Sequence, residues 1–188
     1  MPIRIVIVIG GPPNSGKSTF AVSLAYALQD QGIDAETEDL DPWSPTVDLV
    51  RGKISKSERD QLKKEKITAE HAIKAKRILK SASRKHQVVV ADAPGLISDE
   101  LRKIFTGTAT HGVIVCREDM QDEVGRWTEF FGELKIELVA IVTSKIKGDE
   151  DVASDGLIKA VIVQLERKPR DSPAIRRFAV LLRAKLGI

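Results

Sequence analysis

The sequence predicts an α/β protein in which helices cover both faces of a mostly parallel central sheet, giving a three-layer αβα sandwich. Two observations predict this fold class. Runs of β-branched, apolar residues alternate with segments of helical periodicity, and a glycine-rich turn joins the first expected strand to the first expected helix. Proteins built in this way place their sites at the carboxyl ends of the parallel strands.

The amino-terminal elements begin with a strand at residues 3–9, whose apolar, β-branched residues indicate burial on both faces of the sheet. A helix is expected at 18–31, and Gly32 is suited to end it. A second strand is expected at 33–40. The two prolines in the stretch 41–45 rule out a continuing helix there.

Two helices and a strand are expected next. Ser55 and Glu58 match a capping box, which predicts a helix from about Lys56, and residues 67–85 predict a longer helix. The compact hydrophobic run at 88–91 predicts a strand.

The second half of the chain repeats the alternation. Ser172 and Pro173 predict the start of the last helix, because serine is a favoured N-cap and proline is accommodated at the first helical position. The other expected elements are strands at 112–116, 136–143 and 157–165, a helix at 122–131 and a polar loop at 145–155.

Composition indicates one globular domain spanning residues 1–188, since 42% of the residues are hydrophobic, 30% are charged and the net charge is +3. The longest apolar run, residues 5–9, is far shorter than a membrane span, and no targeting segment is evident. A cytoplasmic location without a membrane partner is therefore expected. The single cysteine, Cys116, excludes an intramolecular disulfide, and three histidines supply little material for a metal cluster.

The segment GPPNSGKS at 11–18 fits the phosphate-binding pattern G-x-x-x-x-G-K-[ST] and lies between a predicted strand and a predicted helix. Backbone N–H groups and the helix N-terminus can hold a nucleoside triphosphate there, while Lys17 reaches the β and γ phosphates and Ser18 ligates Mg²⁺. The alternative is a glycine-rich turn that binds nothing. The expected nucleotide-binding residues are Gly11, Asn14, Ser15, Gly16, Lys17, Ser18 and Thr19.

Asp92 follows a predicted buried strand and stands at the expected Walker B position, where a carboxylate can hold a magnesium-bound water. Gly95, three residues further on, could present its N–H to a γ-phosphate. The alternative is that Asp92 only caps the following segment.

These motifs, together with Asp39-Leu-Asp41-Pro42, resemble the SIMIBI class of P-loop NTPases, notably the ParA/MinD ATPases, over about the first half of the chain. The resemblance implies a P-loop NTPase fold. It also implies that Asp41 supports the metal and positions the attacking group, with Asp39 as the second catalytic candidate beside Lys17.

The sequence departs from ParA/MinD at Pro12, where their signature lysine would stand. This departure puts their nucleotide-sandwich dimer in question, although a homodimer stays among the expected partners. The loop is similar to that of SIMIBI kinases and GTPase metallochaperones, which have an ordinary Walker A motif. The metallochaperone interpretation is weakened by the scarcity of Cys and His ligands.

ATP is expected in preference to GTP. A guanine-specificity loop would read N/T-K-x-D after the fifth strand, whereas this chain has TSKIK at 143–147. Asp149 lies too far along to match unless the loop is distorted.

A basic helical insertion is expected at about 51–86. Residues 51–85 contain thirteen lysines and arginines against four acids. Such a segment could hold an anionic substrate or a nucleic-acid backbone, or it could simply be a solvated face.

Two functions follow from the sequence. The first is Mg²⁺-dependent phosphoryl transfer from ATP, as a kinase or an ATPase. The second is a nucleotide-gated switch or binding module that engages nucleic acid or a protein through the basic segment.

Overall fold

The computed structural model describes residues 4–40, 46–62, 68–166 and 168–188, and in them seven strands form one sheet. The strands are β1 (Ile5–Gly10), β2 (Ala35–Asp39), β3 (Val88–Asp92), β4 (His111–Arg117), β5 (Glu137–Lys145), β6 (Asp151–Asp155) and β7 (Leu157–Val163). Their order across the sheet is β2-β3-β1-β4-β5-β7-β6. Every pairing is parallel except that of β6 with β7. The predicted three-layer sandwich with a mostly parallel sheet is confirmed.

The central strands are apolar because both of their faces are covered. All six residues of β1 and all five of β3 are buried. This arrangement explains why these strands read as continuous hydrophobic runs with no polar alternation.

The helices are α1 (Lys17–Gln29), α2 (Thr46–Val50), α3 (Lys56–Leu62), α4 (Ala69–Lys85), α5 (Asp99–Phe105), α6 (Asp122–Glu133) and α7 (Pro173–Leu186). One hydrophobic layer packs α1 and α7 against the sheet, with Phe20 and Phe178 in edge-to-face contact at 5.1 Å between ring centroids. The other layer packs α4, α5 and α6 on the opposite face. Within the described residues, no helix is both long enough and apolar enough to cross a bilayer.

Side-chain caps begin three of these helices where the sequence places them. Thr68 accepts a hydrogen bond from the N–H of His71 at the start of α4, and Ser172 accepts one from Ile175 at the start of α7. The capping box before α3 is also present, since the Ser55 N–H donates to Glu58 Oε2 at 2.7 Å. The starts of α3, α4 and α7 are therefore as predicted.

One sequence prediction is wrong: residues 145–155 are not a continuous polar loop. Asp151–Asp155 forms β6, which pairs antiparallel with β7 at the edge of the sheet. Only Val152 of β6 is buried, so the composition of this edge strand is that of a loop. The strand expected at 157–165 is therefore the seventh in chain order and ends at Val163.

Two short helices were not predicted. Helix α2 packs Val47 and Val50 against Val22 of α1, and α5 begins at the N-cap Ser98. Each is seven residues or fewer, too short to show a clear helical period.

Gly112→Ala and Gly125→Ala form a matched pair that tests this packing. A Cβ at Gly112 would lie 2.5 Å from the buried Phe131 ring, whereas one at Gly125 in α6 would meet nothing within 4 Å. We expect Gly112→Ala to lower the free energy of unfolding by about 1–3 kcal/mol through overpacking. Gly125→Ala should raise it by about 0.4–1 kcal/mol, because alanine restricts the unfolded chain. Chemical denaturation measures both values, and equal effects would contradict the packing described for β4 and α6.

Candidate functional site

The loop between β1 and α1 needs glycine at both of its ends. Gly11 has φ +135°, and a Cβ there would stand 2.0 Å from the carbonyl oxygen of Val115 in β4. Gly16 has φ +87°, and a Cβ there would stand 2.7 Å from the Leu165 Cβ. The loop is therefore held between β4 and the segment that follows β7, in a backbone path that L-residues rarely adopt.

Lys17 directs its charge into this loop. The residue is only 7% exposed, and its Nζ donates a hydrogen bond to the carbonyl oxygen of Pro12 at 2.8 Å. The ammonium group thus lies within the ring of backbone that the motif forms. A buried cation in such a place favours an anionic ligand.

Ser18 and Asp92 are in direct contact. The Ser18 Oγ donates to Asp92 Oδ2 at 2.5 Å, and Asp92 is buried at the end of β3. Strand β3 pairs directly with β1, with Ile9 opposite Asp92, so the sheet itself brings the carboxylate beside the loop. The sequence predicts both residues at the metal site, and the structure brings them together.

Asp39 lies next to Asp92. The two are register partners on neighbouring parallel strands, and the side chains of such partners point to the same face of the sheet. The Asp39 Oδ2 accepts a hydrogen bond from the N–H of Val47 at 3.0 Å, in the first turn of α2. Asp39 therefore also anchors α2. Asp41, the leading catalytic candidate, lies outside the described residues.

The donors present fit phosphate and Mg²⁺. The first N–H groups of α1 have no acceptor within the helix, and the helix N-terminus attracts anions. The Ser15 Oγ is buried, with no hydrogen-bond partner among the described residues. Hydroxyl and carboxylate oxygens are the ligands Mg²⁺ prefers, and it commonly takes only one or two carboxylates beside water and substrate phosphates.

No group of three or more His, Cys, Asp and Glu side chains suited to a metal occurs among the residues described. Cys116 is buried, and its Sγ–H donates to the Met120 carbonyl oxygen at 2.8 Å. Burial raises the pKa of the Cys116 thiol, and the nearby Glu123 and Asp119 raise it further. The thiol therefore stays protonated at neutral pH, which does not suit a thiolate ligand.

The turn after β3 contacts the phosphate loop at Pro13. A Cβ added at Gly95 would stand 2.6 Å from the backbone nitrogen of Pro13. Pro13 and Asn14 are both exposed at this front edge, and Leu96 beside them is 67% exposed. The expected γ-phosphate residue Gly95 thus touches the loop at a point open to solvent.

The segment after β7 was missed as part of the site. The Thr19 Oγ1 donates to the Glu166 carbonyl oxygen at 2.8 Å, and the Arg170 N–H donates to the Ser23 Oγ at 2.8 Å. Arg170 also pairs with Glu150 at 3.0 Å. No local spacing signals these contacts, because Thr19 and Glu166 are 147 residues apart.

The connection after β5, where a guanine-specificity motif would stand, contains no aspartate near the end of the strand. Lys145, the last residue of β5, pairs with Glu118 Oε1 at 2.6 Å. Asp149 is exposed in the β5–β6 connection. The preference for ATP over GTP stays a prediction from the sequence at 143–147.

Gly95→Ala tests whether the turn after β3 senses the terminal phosphate. The added methyl group should push the turn away from Pro13, so we expect a larger loss of affinity for ATP than for ADP. Titration with both nucleotides measures the ratio, and Gly125→Ala serves as the control with open space. An unchanged ATP-to-ADP affinity ratio would remove Gly95 from the site.

Comparisons with known proteins identify the family and the fold of the chain. Residues 6–145 match the AAA domain family, whereas no curated protein matches the sequence. Among solved structures, the septum site-determining protein MinD of Pyrococcus horikoshii OT3, complexed with Mg-ADP, has a TM-score of 0.71 at 16% identity over 98% of each chain.

Two further structures share the fold. Cobyrinic acid a,c-diamide synthase of Mycobacterium smegmatis, with a bound ATP analogue and magnesium, has a TM-score of 0.63 at 16% identity, covering 99% of this chain and 97% of its own. The signal recognition particle receptor FtsY of Elizabethkingia anophelis, in complex with GDP, has a TM-score of 0.54 at 22% identity and is covered over 51% of its length by 79% of this chain. The P-loop NTPase fold that the resemblance to the ParA/MinD ATPases implies is thus confirmed, and since the family match covers well over half of the sequence, the chain belongs to the AAA domain family.

Proposed function

We propose that this protein binds ATP with Mg²⁺ and transfers or hydrolyses its terminal phosphoryl group, as a kinase or an ATPase. The observation that carries the proposal is the contact between Ser18 and Asp92 at 2.5 Å, directly beside a loop that buries Lys17. A hydroxyl, a carboxylate and a lysine in this arrangement are the parts that phosphoryl transfer requires of a P-loop.

Each part has one role in this proposal. The backbone N–H groups from Asn14 to Thr19 and the Lys17 ammonium hold the β and γ phosphates, and Gly11 gives the loop its path. Ser18 and Asp92 hold Mg²⁺, which supplies charge neutralisation on the transferring phosphate. Asp41, with Asp39 as the second candidate, positions the attacking water or acceptor.

ATP is the proposed nucleotide, with GTP as the weaker alternative. The support is the missing aspartate in the stretch 143–147, while structures of this fold hold ADP in one case and GDP in another. Competition between ATP and GTP for a fluorescent nucleotide would decide the preference.

The second proposed function is a nucleotide-gated engagement of nucleic acid through α4. Five exposed cations lie on the outer face of this helix: Lys74, Arg77, Lys80, Arg84 and Lys85. We name this surface the α4 basic face. Among the described residues, no carboxylate forms an ion pair with any of these five cations. Unpaired cations along one helix favour an extended polyanion.

The α4 basic face suits a nucleic-acid backbone better than a membrane or a single small anion. The apolar side of α4 is already buried against the sheet, so the helix cannot insert into lipid. From Lys74 to Lys85 the face extends over about 16 Å of helix, at about 1.5 Å per residue, which exceeds the size of one phosphate group.

Lys17→Ala tests the nucleotide site. Loss of a charged hydrogen bond is worth about 1.5–3 kcal/mol, so we expect the affinity for ATP to fall at least roughly tenfold. Calorimetric titration measures the change, and Lys159→Ala, an exposed lysine on β7, is the control of equal charge. If Lys17→Ala binds ATP as tightly as the parent, the proposed phosphate contact does not exist.

Asp41→Asn and Asp39→Asn separate the two catalytic candidates. We expect Asp41→Asn to lower phosphate release from ATP by about 10²-fold or more while leaving ATP binding intact, as for loss of a general base. Asp39→Asn should also weaken the anchoring of α2, seen as a lower melting temperature. Full turnover by Asp41→Asn would eliminate Asp41 as a catalytic residue. A panel of phosphate acceptors would distinguish a kinase from an ATPase.

Charge removal on two opposite helices tests the second function. We expect Lys74→Gln, Arg77→Gln and Arg84→Gln together to weaken binding of a DNA duplex and to reduce its salt dependence by about three phosphate contacts. The matched control removes Arg176, Arg177 and Arg183, which are exposed on α7 across the sheet. Equal losses of DNA affinity in both variants would mean that the duplex does not bind the α4 basic face specifically.

Light scattering of the parent protein with ATP tests for a homodimer.

A further inference from the structure

His71 is a buried polar residue that neither proposed function uses. It is 2% exposed in the first turn of α4, where its Nε2 lies 2.9 Å from the carbonyl oxygen of Leu40. A carbonyl oxygen can only accept, so Nε2 carries the proton and donates. Leu40 is the residue directly after β2, between Asp39 and Asp41 in the sequence.

The backbone of Leu40 is also hydrogen-bonded to Asp92. The Leu40 N–H donates to the main-chain carbonyl oxygen of Asp92 at 3.2 Å, and the Asp92 side chain accepts from Ser18. Three consecutive hydrogen bonds thus connect the phosphate loop to α4, in the order Ser18 to Asp92, Asp92 to Leu40 and Leu40 to His71. Each of the four residues except Ser18 is buried, so water does not compete freely for these bonds.

The position of His71 in α4 joins this path to the α4 basic face. Lys74 follows His71 by three residues, and the other cations of the face continue along the same helix. The helix is one element of 17 residues, and the hydrogen bond between His71 and Leu40 ties its first turn to the residue that follows β2. A displacement of α4 by a bound polyanion would therefore change the position of the Leu40 carbonyl group.

A histidine is unusual at this buried position of α4. The neighbouring buried residues of α4 are Ala72, Ala75 and Leu79, which pack in the same hydrophobic layer as Leu40. An apolar side chain would fill the layer without desolvating a polar group. The hydrogen bond to the Leu40 carbonyl oxygen explains why a histidine occurs at this buried position.

We propose that His71 is a positioning residue that couples the α4 basic face to the Ser18–Asp92 pair, so that nucleotide and a nucleic-acid backbone alter one another's affinity. The proposal rests on both proposed functions, because it requires ATP at the phosphate loop and a nucleic-acid backbone on the α4 basic face. Coupling between two sites is reciprocal, so each ligand must change the affinity of the other by the same factor.

The test measures ATP affinity in the presence of Mg²⁺, with and without a saturating DNA duplex, in the full chain. We expect the duplex to change the ATP dissociation constant of the parent by about 5-fold or more, the lower end of ordinary allosteric coupling. His71→Phe, which keeps a ring but has no donor, should reduce this factor to about one, where coupling is absent. His71→Gln, whose amide can donate to Leu40, should restore part of it.

Thr68→Ala is the control for a purely structural role. It removes the N-cap of α4 without touching the His71 side chain, so it should lower the melting temperature and leave the coupling factor unchanged. If His71→Phe lowers the melting temperature but keeps the coupling factor of the parent, His71 is only structural and the proposal is overturned.

A measurement on the parent covers the case in which His71→Phe does not fold. Addition of the duplex to nucleotide-free protein should shift the amide NMR signals of Leu40 and Asp92, and absence of any shift at saturation would overturn the proposal. Failure of the parent to bind ATP would instead contradict the first proposed function, and failure to bind the duplex would contradict the second. Independent binding of ATP and duplex by the parent would contradict only the coupling.

Discussion

The pairing of β3 with β1 is the constraint on which the rest of the site depends. It sets Asp92 opposite Ile9, at the carboxyl end of the strand that leads into the phosphate loop. Only from this register can the Asp92 carboxylate accept the Ser18 hydroxyl hydrogen bond, because a slip of one residue would turn the side chain to the other face. Both strands are buried on both faces, so a slip would exchange side chains between the two hydrophobic layers and would require both layers to repack.

The same register organises the residues around the site. Asp39 stands beside Asp92 on β2, and Leu40 follows with its N–H on the Asp92 carbonyl oxygen. On the other side of β1, Val115 of β4 lies so close to Gly11 that no side chain fits between them. The sheet thus positions Asp39 and Asp92, and its strand β4 bounds one side of the phosphate loop.

Much of the fold could be predicted because the signals were local. The buried runs of β1 and β3, the cap at Ser172 and the motif at residues 11–18 each depend on a few neighbouring residues. Strand β6 could not be recognised, because an edge strand with one buried residue has a loop's composition. The segment around Glu166 and Arg170 also could not be found, because its contacts with α1 exist only in the folded chain.

The central claim is that the loop between β1 and α1 holds condensed phosphate together with Mg²⁺. Calorimetric titration of the parent protein with ATP, in the presence of Mg²⁺ and again with the metal chelated, tests it most directly. We expect saturable binding that is clearly tighter with the metal, because Ser18 and Asp92 hold the ion against the phosphates. Absence of binding heat for both ATP and GTP at millimolar concentration would contradict it.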